Sequence, residues 1–170
     1  MTRLEVIRPF VEQTVKEFLG VEQLQVMDDG TIPIRAGSTA VNVRLVQARD
    51  EGEPLLQVFA PILHSVSRTP ELLEKLNEMN TNFTSARAFW VNDQVLIAME
   101  LQAETLDKQQ VGYACSLISF AADYWDDVLK GQFGGEIAFN EPSTPAGGAV
   151  PPVDAPTETA DPDPGSKGYL

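Results

Sequence analysis

The chain has 170 residues, 43% of them apolar, which suits one domain with a full core and is short for two. Lys and Arg number 12 against 25 Asp and Glu, a formal net charge of −13 with no basic cluster, so the surface repels phosphate backbones and nucleic-acid binding is excluded. The opening MTRLEVIRPFVEQ interleaves charged and apolar residues, which fits neither a signal peptide nor an anchor; no run approaches the roughly 20 apolar residues that span a bilayer, and the single Cys115 rules out an internal disulfide, so the expected compartment is the cytoplasm.

The first element is a helix over about residues 3–19, where Leu4, Ile7, Val11, Val15 and Phe18 recur at spacings of three and four. Pro9 requires that this helix either begin near it or kink there, and Gly20 closes it at C′. LQVMDDGTIPIRAG reads as a short hairpin, with Leu24 and Val26 before an Asp-Asp-Gly turn and Ile32 and Ile34 after it. Two longer strands follow, at 39–48 and 55–63, joined by the turn RDEGEP. Val41, Val43 and Leu45 share one face of the first, and Leu56, Val58, Ala60 and Ile62 one face of the second. Pro61 predicts an edge or a bulge late in that strand. Thr69-Pro70-Glu71 starts a second helix with an apolar stripe of Leu72, Leu73, Leu76, Met79 and Phe83.

SARAFWVNDQVLIAMEL (85–101) then forms a hairpin, since Asn92-Asp93 tolerates the positive φ angles of a primed two-residue turn. With Val91 opposite Gln94, one face collects Ala86, Ala88, Trp90, Val95, Ile97 and Met99, a core face without a polar member. The other collects Arg87, Phe89, Val91, Leu96, Ala98 and Glu100, half apolar and charged at one end, as suits a surface that something else covers. The last helix, about 105–130, buries Val111, Cys115, Ile118, Ala122, Trp125 and Leu129, flanked by Ala114, Leu117, Ala121 and Val128; Ser116, Ser119, Asp123, Asp127 and Lys130 form its wet face.

Residues 141–170 hold seven of the 12 prolines and hardly any large apolar group, which reads as a disordered tail. The expected organisation is an α+β domain over residues 1–135 and an acidic tail over 136–170.

Chemistry-bearing residues are sparse. His64, the only histidine, lacks a surrounding nucleophile motif and reads as structural. Cys115 lies on an apolar stripe and reads as a small buried hydrophobe. Asp123, Asp126 and Asp127 are neighbours on a helix, but no second ligand cluster accompanies them, so a solvated acidic face is the better account. No glycine-rich loop follows a strand to open a helix. No catalytic residue, metal or cofactor is expected. Arg87 and Glu100 fit a diagonal cross-strand ion pair.

LLEKLNEMN (72–80), ARAFWVNDQVLIAMEL (86–101) and ISFAADYWDDVLKGQFGG (118–135) together resemble the YbjN-like and type III secretion chaperone-like superfamily, including its actinobacterial peptide-binding chaperone branch. The Leu-Asn-x-x-Asn helix, the Ala-Arg-x-x-Trp strand and the closing Phe-Gly-Gly carry the resemblance, which spans about residues 3–135. It implies a compact α-β-β-β-α-β-β-α fold, often dimeric, that holds extended segments of other proteins. The proline-rich tail departs from the secretion chaperones. The expected function is thus a non-enzymatic, homodimeric binder of a protein or peptide client. Its site is Phe89, Val91, Leu96 and Ala98, with Phe59 and Val46 extending it if their strands share the sheet and Arg87 and Glu100 orienting the partner. The net acidity favours basic clients. The alternatives are an adaptor whose tail recruits partners, or an enzyme of unrecognised type.

Overall fold

A computed structural model describes residues 3–36, 39–47 and 52–138. Three helices and six strands run in the order α1 (Arg3–Leu19), β1 (Ile32–Ala36), β2 (Thr39–Gln47), β3 (Pro54–His64), α2 (Pro70–Asn82), β4 (Arg87–Val91), β5 (Gln94–Gln102), α3 (Lys108–Phe133) and β6 (Glu136–Ile137). The α+β arrangement expected from the sequence is therefore present. Residues 48–51, which include the first half of the RDEGEP turn, and the tail beyond Ala138 lie outside the described residues.

α1 passes through Pro9 without breaking. Its buried side chains, Val11, Thr14, Val15 and Leu19, all follow the proline, while Val6 before it is 63% exposed. What ties down the first turns is the Arg3 guanidinium, whose Nη2 lies 2.6 Å from Oε1 of Glu104. At the other end Gly20 takes φ 65° and the Val21 amide donates to the Lys16 carbonyl, a Schellman closure. The expected hairpin at 24–34 is only half formed. The turn is there, closed by the Met27 amide on the Thr31 carbonyl at 2.8 Å, but the Leu24–Val26 arm is not a strand. The reason is a shortage of donors: Asp29 Oδ1 takes the Thr31 amide, and Pro33, two residues on along the same edge, has none.

The sheet is antiparallel in the order β1-β2-β3-β5-β4, with β6 added beside β3. Pro61 sits where the β3–β5 register slips by a residue, so the bulge expected there is found. Asn92 and Asp93 take φ 49° and 58°, and Val91 pairs with Gln94 as the turn chemistry requires. Val41, Val43, Leu56, Val58, Ala60, Ile62, Val95 and Ile97 point to one side and are at most 1% exposed. The buried faces of all three helices join them in a single core. Thr69 caps α2 by accepting from the Leu72 amide, and Asp107 with Gln110 forms a capping box on α3 that starts this helix later than its apolar spacing implied. Leu73, assigned to the α2 stripe, points outward at 36% exposure.

The three sequence signatures resolve into architecture. Asn80, the last residue of Leu-Asn-x-x-Asn, accepts from the Ala88 amide at 2.7 Å and donates to the Ala88 carbonyl at 3.0 Å, holding α2 against edge strand β4. Trp90 fills the core side of β4 and its Nε1 donates to the Val66 carbonyl at 2.9 Å. Gly135 has φ 84°, and a Cβ there would stand 2.7 Å from the His64 carbonyl oxygen, so only glycine lets the chain turn back beside β3 as β6. Glu136 and Ile137, assigned from composition to the tail, are the residues that pair. Asn80→Ala leaves both outward-facing groups of Ala88 without their partner. It is expected to lower unfolding free energy by about 1–3 kcal/mol in urea titration, whereas loss within experimental error means the tie is redundant.

Candidate functional site: the open face of the sheet

Because side chains alternate, the residues between the core positions share the opposite side of the sheet. The pairings set them in rows: Val46 and Leu55 across β2 and β3; Arg44, Gln57 and Glu100 across β2, β3 and β5; then Asn42, Phe59, Ala98 and Arg87; then Pro61, Leu96 and Phe89. The strands of Phe59 and Val46 do join the sheet of the hairpin, and both side chains extend its second face. None of the residues in these rows belongs to the core cluster, into which the helices pack.

The face is not a bare apolar patch. Arg44 Nε donates to Gln57 Oε1 at 2.9 Å, Gln57 Nε2 donates to Glu100 Oε1 at 2.7 Å, and Arg87 grips the same carboxylate with both terminal nitrogens, one at 2.7 Å. This ladder crosses four strands and satisfies Gln57, one of the few buried polar residues. The Arg87–Glu100 pair expected from the sequence is formed, on the diagonal. Each arginine also covers an aromatic ring, Arg44 at 4.9 Å from the Phe59 centroid and Arg87 at 5.5 Å from that of Phe89. The rings are consequently half-buried rather than bare.

Beside the ladder lies a shallow depression of about 340 Å³ floored by Phe59, Pro61, Phe89 and Leu96, with Val91, 37% exposed, at its rim. That is the lower end of the range for small-ligand sites, and it is open, so it suits one or two side chains of an extended segment better than an enclosed molecule. Ala98 is fully buried beneath Phe59 and Arg87, its neighbours across the strands, so it serves as floor. Arg35, placed on this side by its alternation with buried Ile34, joins Arg44, Arg87 and Glu100 there, and Glu136 falls on the same side by its alternation with core-packed Ile137.

Strand addition, the other way a sheet takes a peptide, is hindered at both edges. On β4 the Asn80 amide occupies both groups of Ala88, and on β1 Pro33 removes a donor. A segment would have to lie across the face.

The remaining candidates have structural roles. His64 pairs through its backbone with Glu136, and the corner it occupies with Ser65 and Ser67 is held by the Val66 amide on the Asp93 carbonyl and by Trp90 on the Val66 carbonyl. Among the described residues no group of three His, Cys, Asp or Glu is placed to hold a metal ion. Partial burial, with Asp127 and Asp123 nearby, pushes the Asp126 carboxyl up. Sequence reasoning missed one feature of α3: Tyr113, Phe120 and Tyr124 are 57–73% exposed along its outer side, where only polar residues were noted. Their spacing of seven and four was the available signal.

An antiparallel sheet covered on one side by three helices is the fold of several chaperones solved with their partners. The similar structures include the ExsC–ExsE complex (13% identity, TM-score 0.56, covering 76% of this chain and 97% of that one) and the HopA1–SchA chaperone–effector complex (10%, 0.57, 75% and 98%). The Yersinia pestis type III secretion chaperone SycH, in complex with a stable fragment of YscM2, gives 14%, 0.50, 69% and 98%. No curated protein matches the sequence significantly. Residues 5–141 match the family described as T3SS (YopN, CesT) and YbjN peptide-binding chaperone 1, TY-Chap1, and the chain belongs to that family, whose members are binding proteins rather than enzymes. Among the described residues no helix is long and apolar enough to cross a membrane.

Burial pushes the Cys115 thiol up to about 12, from an ordinary 9.0. The folded state therefore favours the protonated thiol, and the stability this confers is whole below pH 9 and declines as pH rises towards 12. At pH 8 the native protein should not react with a chromogenic disulfide reagent on the timescale in which the urea-unfolded chain reacts fully. Rapid reaction of the native protein would show an accessible thiolate.

Proposed function

We propose that this chain is a cytoplasmic, homodimeric chaperone-like module that captures an extended segment of a client protein across the open face of its sheet. The binding domain in this reading runs through β6, past the boundary at 135 expected from composition, and the residues after it are a separate tail. The observation that carries it is the division of the sheet: every helix packs on one side, while the other presents Phe59, Phe89, Val91 and Leu96 beside a hydrogen-bonded rank of arginine, glutamine and glutamate. Half-buried aromatic floors take apolar side chains, and Arg87 and Glu100 fix the direction of the strand laid over them. Membership in a peptide-binding chaperone family and likeness to chaperone–effector complexes support the same reading.

The outer side of α3 supports a dimer made elsewhere. Tyr113, Phe120 and Tyr124 form a stripe one residue wide, and acidic Asp123 and Asp127 lie only in the later half of the helix. An antiparallel crossing of two copies buries the aromatics and sets each acidic half against the other's acid-free half. It leaves the peptide face free in both copies.

Two substitutions separate these surfaces. From a displayed library of random dodecapeptides, the wild-type protein should enrich binders that Leu96→Asp loses by a factor of at least about 30, equivalent to about 2 kcal/mol, with its circular dichroism unchanged. Phe120→Asp should halve the mass measured by light scattering and keep those binders. Equal enrichment by Leu96→Asp and wild type would place the site off this face.

A further inference from the structure

The open face continues past the apolar depression into a second cavity. Ile62 and Leu63 are both buried, because the bulge after Pro61 inserts a residue there, so His64 returns to the open side and sits opposite Glu136. His64, Ser67, Asn92, Asp93 and Gln94 surround a space of about 480 Å³ at the end of the sheet, where the hairpin turn meets the connection from β3 to α2. Asn92 and Gln94 line this space and the depression at Phe59, Pro61, Phe89 and Leu96 alike, so the two form one continuous groove. The bonds that hold the corner come from the Val66 and Asp93 backbone and from Trp90, and among the described residues none engages the side chain of His64, Ser67 or Asp93.

The two ends of the groove differ in charge. At the ladder end stand Arg44, with Asp29 nearby, and Arg87 on Glu100. Arg35 lies on edge strand β1, with β2 between it and β3. At the corner the charged groups are Asp93 and Glu136, and no hydrogen bond or ion pair among the described residues engages either carboxylate. The cations nearest in sequence are directed elsewhere: Arg68 lies over the Trp90 ring, on the core side of β4, and Lys130 belongs to the last turn of α3, on the helical side of the sheet.

We propose that this corner takes a basic side chain of the client, a lysine or arginine carried on the same segment whose apolar side chain fills the depression. This rests on the peptide-binding reading and gives its client a chemistry. Leu96 and Gln94 are two residues apart on β5, about 7 Å, and in an extended segment side chains two apart share a face at the same spacing. An apolar residue over Phe89 and Leu96 therefore sets the residue two positions away over Gln94, from where a long side chain reaches Asp93 and Glu136. Carboxylates accept short, charge-assisted hydrogen bonds from ammonium or guanidinium groups, and the Asn92 amide oxygen and Ser67 hydroxyl are further acceptors. An acidic segment is repelled there, and a second copy related by a two-fold axis at the corner would set acid against acid.

The test uses the full chain and the displayed dodecapeptides. Binders lost with Leu96→Asp should carry Lys or Arg two positions from an apolar residue. For one such synthetic peptide, replacing the basic residue by norleucine keeps an aliphatic side chain and removes the charge. That change should weaken binding to the wild type about 3- to 10-fold, as for two exposed ion pairs. The Asp93→Asn, Glu136→Gln double variant, in which asparagine keeps the positive φ of the turn, should bind the two peptides within twofold of each other. Leu96-dependent binders without the basic residue overturn the proposal, as do equal affinities of the two peptides for the wild type or a difference that survives in the double variant. In each of these cases the groove reading stands; binding indifferent to Leu96 removes both.

Discussion

The register of the β4–β5 hairpin decides which side chains the sheet hides and which it offers. With period two, a slip of one residue would send Phe89 and Leu96 into the core and turn Trp90 and Ile97 out. Asn92 and Asp93 prevent it by adopting positive φ, which fixes Val91 opposite Gln94. Two further ties act at the same end: Trp90 donates to the Val66 carbonyl, and the Val66 amide donates to Asp93. Asn80 then holds β4 from its outer edge. These local bonds are the reason a small hairpin can present large apolar groups on both faces and still have one structure.

The consequence is a sheet with unequal sides. One is sealed by three helices in a single core. The other is kept soluble by a ladder in which Gln57 bridges Arg44 to Glu100 and Glu100 holds Arg87. Those groups do two things at once. Their guanidinium planes cover Phe59 and Phe89 in the absence of a partner, and their fixed positions give a partner a direction. Exposed pairs of this kind contribute little to stability on their own, so their arrangement bears more on recognition than on folding.

Much of this was legible in the sequence because it is written locally. The Asn-Asp turn, the Thr69-Pro70 helix start, the bulge at Pro61 and the two hairpin faces follow from short-range chemistry, and each has its counterpart in the structure. The first arm at Leu24–Val26 was misread because an apolar pair flanking a turn promises a strand only when donors remain to pair it. Asp29 and Pro33 removed them. The polar ladder of the open face was illegible for a different reason. Arg44, Gln57 and Glu100 are far apart in the chain, and only the strand order gathers them. The aromatic stripe of α3 was visible as spacing but was overlooked beside the polar residues that share its side.

The three family signatures turned out to maintain this geometry: Asn80 guards an edge, Trp90 locks the register and Gly135 returns the chain to β3. Their named residues include none that lines the groove, only Arg87 of the ladder beside it, which fits a scaffold whose frame is specified and whose client is not. The most direct measurement of the central claim is an amide chemical-shift titration of the protein with a selected peptide. The account predicts that the largest shifts fall on Phe59, Phe89, Val91 and Leu96; shifts gathered instead around Tyr113, Phe120 and Tyr124 would contradict it.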